Sequence, residues 1–312
     1  MSKRHDIYAA VTAQIVAAIE AGPGQWRMPW HHAGAPIMRP TSAAGRRYTG
    51  INRVILWATA EHHQFSSGTW ATYQQWKQHG AQVRKGEAGT QVLLWRKIER
   101  PEGEVGEGGN ASVGTDDQRR HFFATSFWVF NQDQVDGVDE EAVKAVAPIT
   151  PDIAAAQSFL ESLGVPVEYG RYDAHYDPAR DRVFMPERAA FESDADLIST
   201  LGHEMVHATG HASRIGRETL RDYHKDRAIC SREELVAELG SAMLMADLGL
   251  ACVPRPDHAA YVASWLMLLK HDPRAICTAA ARTQVAADWI HAMLAPPLNL
   301  SQLLREVDHG SL

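Results

Sequence analysis

Cysteine is scarce in this chain. Its 312 residues include only Cys230, Cys252 and Cys277, far apart and without paired spacing. That argues against a disulfide framework and for unpaired thiols in a reducing compartment. No apolar run approaches the roughly 18–20 residues of a membrane-spanning helix. The start, MSKRHDIYAA, carries no apolar core of the kind an export signal needs. We therefore expect a cytoplasmic protein, neither membrane-embedded nor secreted. Internal repeats are absent, and no heptad seam argues for a coiled-coil dimer.

What is present divides the chain in two. At 45% hydrophobic, the sequence can fill one large core or two ordinary ones, and two is the better expectation for this length. The net charge of −7 hides an asymmetry. Residues 1–100 hold 13 Lys and Arg against 5 Asp and Glu, or +8, and the remainder holds 18 against 33, or −15. Six of the nine tryptophans also lie in the first 100 residues. A basic, tryptophan-rich front and an acidic rear suggest modules with different partners.

Periodicity gives the outline. Ile7, Val11, Ile15 and Ile19 recur every fourth residue and predict a helix over 6–21. Residues 51–63 read as a second helix and Trp70 to His79 as a short third one. The period then changes to two, predicting strands over Thr90 to Ile98 and His121 to Phe130. Between them, 101–118 is rich in Gly, Glu and Asp with no apolar face, which reads as a long, mobile acidic hairpin connection. We expect a front domain over 1–135 and a linker over 136–151, with a rear domain from 152 to 312. In the rear, helices are predicted over 152–163, 194–209, 231–248, 258–270 and 274–294, with strands at 165–169 and 182–185. Both halves mix helix and sheet, so the class is α+β.

The strongest chemical signal is His203-Glu204-Met205-Val206-His207. Four residues apart on a helix, the two imidazoles share one face and can bind one metal ion. Glu204, beside the first, is then placed as the general base acting on water. A hydrolytic zinc site needs a third protein ligand and an open position. His211 extends the series, but it starts about 12 Å from His203 along a straight helix. It reads better as a helix-end or cleft-lining residue. On the next predicted helix, Glu233, Glu234 and Glu238 supply carboxylates, with Ser231 as a candidate cap for that helix. We take Glu234 as the third ligand and Glu238 as the carboxylate that orients an imidazole, with Glu233 the rival for either role. Tyr223 and His224 lie between the motifs, where either could donate to an oxyanion or simply serve the core or surface.

In the front, GRRYTGINRVILW (Gly45 to Trp57) and GTWATYQQWKQHGAQVRKGEAGTQVLLWRK interleave cations with flat rings. Cations for phosphates and rings for base stacking are what sequence-tolerant single-strand binding requires. We expect Trp57 and Trp95 to fill core instead.

HExxH followed by a Glu on a second helix resembles the gluzincin type of zincin metallopeptidase. More narrowly, TLGHEMVHATGHASRIGR with EELVAELGSAML is similar to the metallopeptidase domain of ArdC-type antirestriction proteins and of phage and plasmid polyvalent proteins. The metzincin pattern fits less well, because its third His would fall at position 213, which is Ser213. YTGINRVILW, SGTWATYQQWKQHGAQVRKGEAGTQVLLW and FWVFNQDQVDG resemble the N-terminal domain that ArdC proteins share with TraC-type plasmid primases. The resemblance covers residues 6–131 and most of the rear, but not 101–118. It implies a small mixed domain binding single-stranded DNA that enters a bacterium by conjugation. The candidate DNA-site residues are Arg46, Arg47, Tyr48, Asn52, Trp70, Tyr73, Arg84 and Lys85, with Glu87 in the same motif. A gluzincin-like domain holding zinc, or another divalent metal, would follow and act on a protein or peptide. In zincins an edge strand lies along the cleft, and the strand around Val183 to Met185 is the expected one. The alternative is a non-enzymatic protein that shields single-stranded DNA and uses its metal structurally or in regulation. No acidic cluster of a polymerase type supports a primase.

Overall fold

The computed structural model describes residues 38–97, 122–139, 152–250 and 258–293, together with positions 9, 12, 13, 15–17, 20 and 143. The predicted connection at 101–118 and the Trp95 side chain lie outside the described residues. The described positions between 9 and 20 are all helical, and Ile15 is fully buried.

The front part contains β1 (Thr41–Ser42), α1 (Ile51–His63), β2 (Thr69–Ala71), α2 (Tyr73–Gln78), β3 (Gln82–Val83), β4 (Thr90–Lys97), β5 (Phe122–Asn131) and β6 (Val135–Asp136). Strands β1, β2, β5 and β4 form one sheet in that order. β4 and β5 pair antiparallel, from Thr90 opposite Val129 to Lys97 opposite Phe122. The segment Trp70 to His79 is not one helix. Trp70 pairs with Asn131 as a strand, and Thr72 then starts α2 with a reciprocal cap involving Gln75. β6 pairs with β3, so the front fold runs through Asp136, one residue into the stretch read as linker.

The rear part contains α3 (Ile153–Glu161), β7 (Val167–Tyr169), β8 (His175–Asp177), β9 (Arg182–Met185), α4 (Asp194–Thr209), α5 (Glu218–Arg221), α6 (Arg227–Leu248), α7 (His258–His271) and α8 (Ala275–Ala292). The mixture of helix and sheet is the α+β class expected. The three-stranded sheet runs β7-β9-β8, which corrects one expectation: Val183 to Met185 form the central strand. Three successive buried residues there need cover on both faces. β7 and β8 are the edges of the sheet.

α4 starts where Ser193 accepts from the Asp196 N–H, with Asp194 and Asp196 at the positive end of its dipole. α6 starts four residues earlier than predicted, because Asp226 rather than Ser231 caps it. Ser231 instead lies inside the helix, where its hydroxyl donates to Ser264 and its carbonyl accepts from the Trp265 indole. α4 and α6 cross closely, and glycines permit the approach. A Cβ on Gly240 would lie 2.6 Å from the Val206 side chain, and one on Gly202 would press on Met245 at 3.3 Å.

The two halves do not keep separate principal cores. Ile51, Val54, Ile55 and Trp57 of α1 join the same buried cluster as Leu197, Leu201, Leu239 and Ile290 of the rear. Beside it, Arg39 and Arg53 converge on Asp247, at 2.8 and 3.4 Å, and His291 takes the other carboxylate oxygen at 2.7 Å. Together with their shared core, these contacts join the basic front to the acidic rear.

Candidate metal centre

The close crossing of α4 and α6 brings one face of each helix together. His203 and His207 sit one turn apart with their Nε2 atoms 3.2 Å from each other. Glu234 of α6 faces both, with its oxygens 3.5 Å from His203 Nε2 and 3.4 Å from His207 Nε2. All three side chains are buried. With one donor atom taken from each residue, the three lie within 4.8 Å of one another, close enough to converge on one cation, whose tetrahedral coordination with bonds of 2.0–2.1 Å spaces ligand atoms about 3.3–3.4 Å apart.

The charges agree. Burial opposes a proton on His207, but Glu234 and Glu233 outweigh it and hold the imidazole pKa up at about 10. Burial likewise opposes ionisation of Glu234, and the two histidines reverse this, holding its carboxyl far below the usual range. A proton shared among these groups cancels the negative charge that a cation would otherwise cancel.

The surrounding carboxylates have separate tasks. Glu233 accepts from His207 Nδ1 at 3.1 Å and fixes that ring. Glu233 is itself held by Arg217 Nε at 2.8 Å and by the Thr219 hydroxyl at 2.6 Å. The Arg217 guanidinium also reaches the Val206 carbonyl and the Thr209 hydroxyl, folding over the end of α4. It leaves room only for glycine at 210, where a Cβ would meet it at 2.8 Å. Glu238 stands 3.7 Å from His203 Nδ1, a buried nitrogen with no hydrogen-bond partner. His211 lies beyond the helix end, where its Nδ1 contacts Ser213 at 2.7 Å, and it is not part of the donor triangle.

A cleft of about 400 Å³ opens over the triangle. Glu204, His207, Glu234, Leu220, Tyr223 and His224 line one side, and the edge strand β8 with Pro178 lines the other. Tyr223 donates to Glu234. β8 is pinned by Arg214, which pairs with Asp181 and donates to the Tyr176 hydroxyl at 3.1 Å. Arg217, Thr219 and β8 escaped the sequence reading. Arg217 and Thr219 lie outside both helices, and a three-residue strand carries too short an alternation to detect.

The front candidates separate into two groups. Trp70 is 1% exposed and packs with Leu56, Val92 and Val129, so its ring belongs to the core and cannot stack on a base. Tyr48 packs against the same cluster, and burial pushes its hydroxyl pKa up to about 12. Asn52 is spent on β4, donating to and accepting from the Leu93 backbone at 2.7 and 2.8 Å. All three fasten α1 to the sheet, Asn52 through the β4 backbone and Trp70 and Tyr48 through the cluster around Leu56. Arg46, Arg47, Tyr73, Arg84 and Lys85 are exposed. Arg84 is paired with Glu87 and Asp136 at 3.1 and 3.3 Å. Trp57 is in the core, as expected.

This geometry can be set beside known proteins. The family model for the N-terminal domain of the anti-restriction factor ArdC matches residues 5–130, and that for a zincin-like metallopeptidase matches residues 154–282. Crystal structures of the antirestriction protein ArdC from plasmid R388, metal-free and Mn(II)-bound, superpose with a TM-score of 0.74 at 37% identity. They cover 92% and 94% of this chain and 97% and 99% of their own. The chain belongs to the ArdC antirestriction family.

An uncharacterized protein of Sinorhizobium fredii, y4eC, is 42% identical over 291 residues, 92% of each chain. DNA primase TraC of Escherichia coli is 32% identical over 307 residues, which is 94% of this chain but 20% of the primase. The ArdC architecture is thus matched nearly end to end, whereas most of the primase has no counterpart here. Among the described residues, no helix is long and apolar enough to cross a membrane.

Proposed function

We propose that this ArdC-family chain is a cytoplasmic antirestriction protein with two working surfaces. The front binds single-stranded DNA entering a bacterium by conjugation, and the rear cleft is a metal-dependent peptidase. The observation that carries the peptidase reading is the triangle of His203, His207 and Glu234 on the cleft floor with Glu204 beside it. The Mn(II)-bound structure of the R388 relative supports a divalent cation, and the His-His-Glu donor set suits zinc.

When bound, the cation supplies a Lewis acid for the carbonyl oxygen of a scissile peptide bond. The chain's own groups do the rest. His203, His207 and Glu234 hold the cation. Glu233, fixed by Arg217, keeps the His207 ring in its plane, and Glu238 stands ready for the His203 Nδ1 proton. Glu204 takes the proton from the attacking water and returns it to the leaving amine. Tyr223 and His224, on the same side of the cleft as Glu204, are the candidate donors to developing negative charge on the carbonyl oxygen. The edge strand β8 offers backbone groups along which an extended substrate can lie.

A restriction-protection assay tests this reading. Wild type, Glu204→Ala and the double variant Arg46→Ala/Arg47→Ala are compared for protection of incoming DNA. Loss of protection in the Glu204 variant, with DNA binding retained, is expected. Full protection by that variant together with loss in the arginine variant would mean that shielding of DNA is the whole function.

A further inference from the structure

β5 alternates as a half-buried strand should. Val129 faces inward to the cluster of Leu56, Trp70 and Val92, with Phe127 packed against it, while Ser126 and Trp128 face outward. Trp128 is left 56% exposed in the middle of a paired strand. Its partner across the ladder is Gln91, whose side chain donates to Ser126 at 2.8 Å, so polar groups flank the ring on the open face. Gly89 precedes β4 and packs closely against this face: a Cβ there would lie 3.2 Å from the Trp128 Cβ and 3.1 Å from the Phe130 ring. The turn leading to Gly89 carries Lys85, exposed and without an ion pair among the described residues. Lys77, Arg46 and Arg47 are also exposed on this half of the chain.

We propose that Trp128 is the platform on which the front part stacks a base of single-stranded DNA, with Lys85 beside the strand's phosphates. The inference rests on the reading of the front as a single-strand binder and names its contact surface. A ring lying on an open sheet can reach an unstacked base but not one inside a duplex. Lys85, on the turn that leads to Gly89 against this face, offers a cation for a phosphate, which favours nucleic acid over an apolar protein partner. Trp128 takes over the stacking role that the sequence pattern assigned to Trp70, whose ring is in the core.

The test is binding of a labelled oligothymidylate to the full chain, followed by fluorescence anisotropy across a salt series. Trp128→Ala weakens binding roughly 5- to 150-fold. Trp128→Phe retains most of the affinity, and neither change alters the salt slope. Lys85→Ala flattens the slope while leaving the affinity at high salt nearly unchanged. Because Trp128 is exposed, the thermal midpoint of each variant stays at the wild-type value, which separates this role from folding. Wild-type affinity in Trp128→Ala overturns the assignment and leaves single-strand binding standing. If that variant instead loses protection of DNA without losing affinity, the face belongs to a protein partner. Failure of the wild-type protein to bind the oligonucleotide overturns both readings.

Discussion

At the residue scale, the centre depends on groups that never touch the metal position. Glu233 is 0% exposed, yet Arg217, which reaches both its oxygens, together with His207 outweighs burial and holds its carboxyl well below the usual range, and the Thr219 hydroxyl also donates to it. Replacing Arg217 with Ala would leave that charge buried and unpaired, so Arg217→Ala is expected to cost about 3–5 kcal/mol in urea unfolding. Glu233→Gln keeps the shape and removes the charge. It should weaken metal affinity about 10–100-fold in a chelator competition, with little change in DNA affinity. An unchanged metal affinity would remove Glu233 from its orienting role. Of this site, the His-Glu-His face was legible because four-residue spacing on a helix fixes which side chains neighbour one another. The choice among Glu233, Glu234 and Glu238 was not, since it depends on how α6 crosses α4. That crossing is set by Gly240 and Val206, residues that give no chemical signal in the sequence.

At the scale of elements, the helix pair is the structure on which the chemistry is mounted. Gly240 stands where α6 comes closest to α4, and its missing side chain admits Val206. Gly240→Ala forces the helices apart and is expected to cost about 1–3 kcal/mol by overpacking. It should also lower metal affinity, because Glu234 and Glu238 flank the contact on the same helix. A loss of stability with full metal affinity would mean that the donors tolerate a wider crossing. The long helices were readable because their apolar periodicity spans several turns, and α4 has the predicted bounds. The start of α6 was not, because Ser231 and Glu234 imitate a cap while the true cap, Asp226, lies one turn earlier. β8 and β2 were missed for a different reason: three residues carry no period of their own and are defined by their partners, whereas β7, equally short, lies inside the longer alternating stretch 165–169.

At the scale of the whole molecule, the charge asymmetry was real but did not imply two separable cores. α1 is amphipathic, and nothing in its pattern says which surface its apolar side meets. It meets the rear helices, and the buried Arg39, Arg53, Asp247 and His291 join the halves. Asp247→Ala would strand two buried guanidinium groups, so a loss of about 3–5 kcal/mol is expected. Burial opposes the Asp247 charge, but His291 and the two arginines outweigh it and hold its pKa below the ordinary value. A carboxyl lowered in this way contributes stability above about pH 4, the unfolded-chain range, and loses it as pH falls through the lowered value. Thermal midpoints measured from pH 7 downward should therefore fall more steeply for wild type than for Asp247→Asn. Parallel curves would show that the cluster does not couple folding to that proton.

The central claim is that three side chains on two helices form one metal centre. Equilibrium dialysis of the full chain against Zn(II) or Mn(II), read as bound metal per chain, tests it most directly. One cation per wild-type chain is expected, with binding lost in both His207→Ala and Glu234→Ala and only weakened in Glu233→Gln. Wild-type stoichiometry and affinity in Glu234→Ala, or no bound cation in the wild-type protein, would contradict the account.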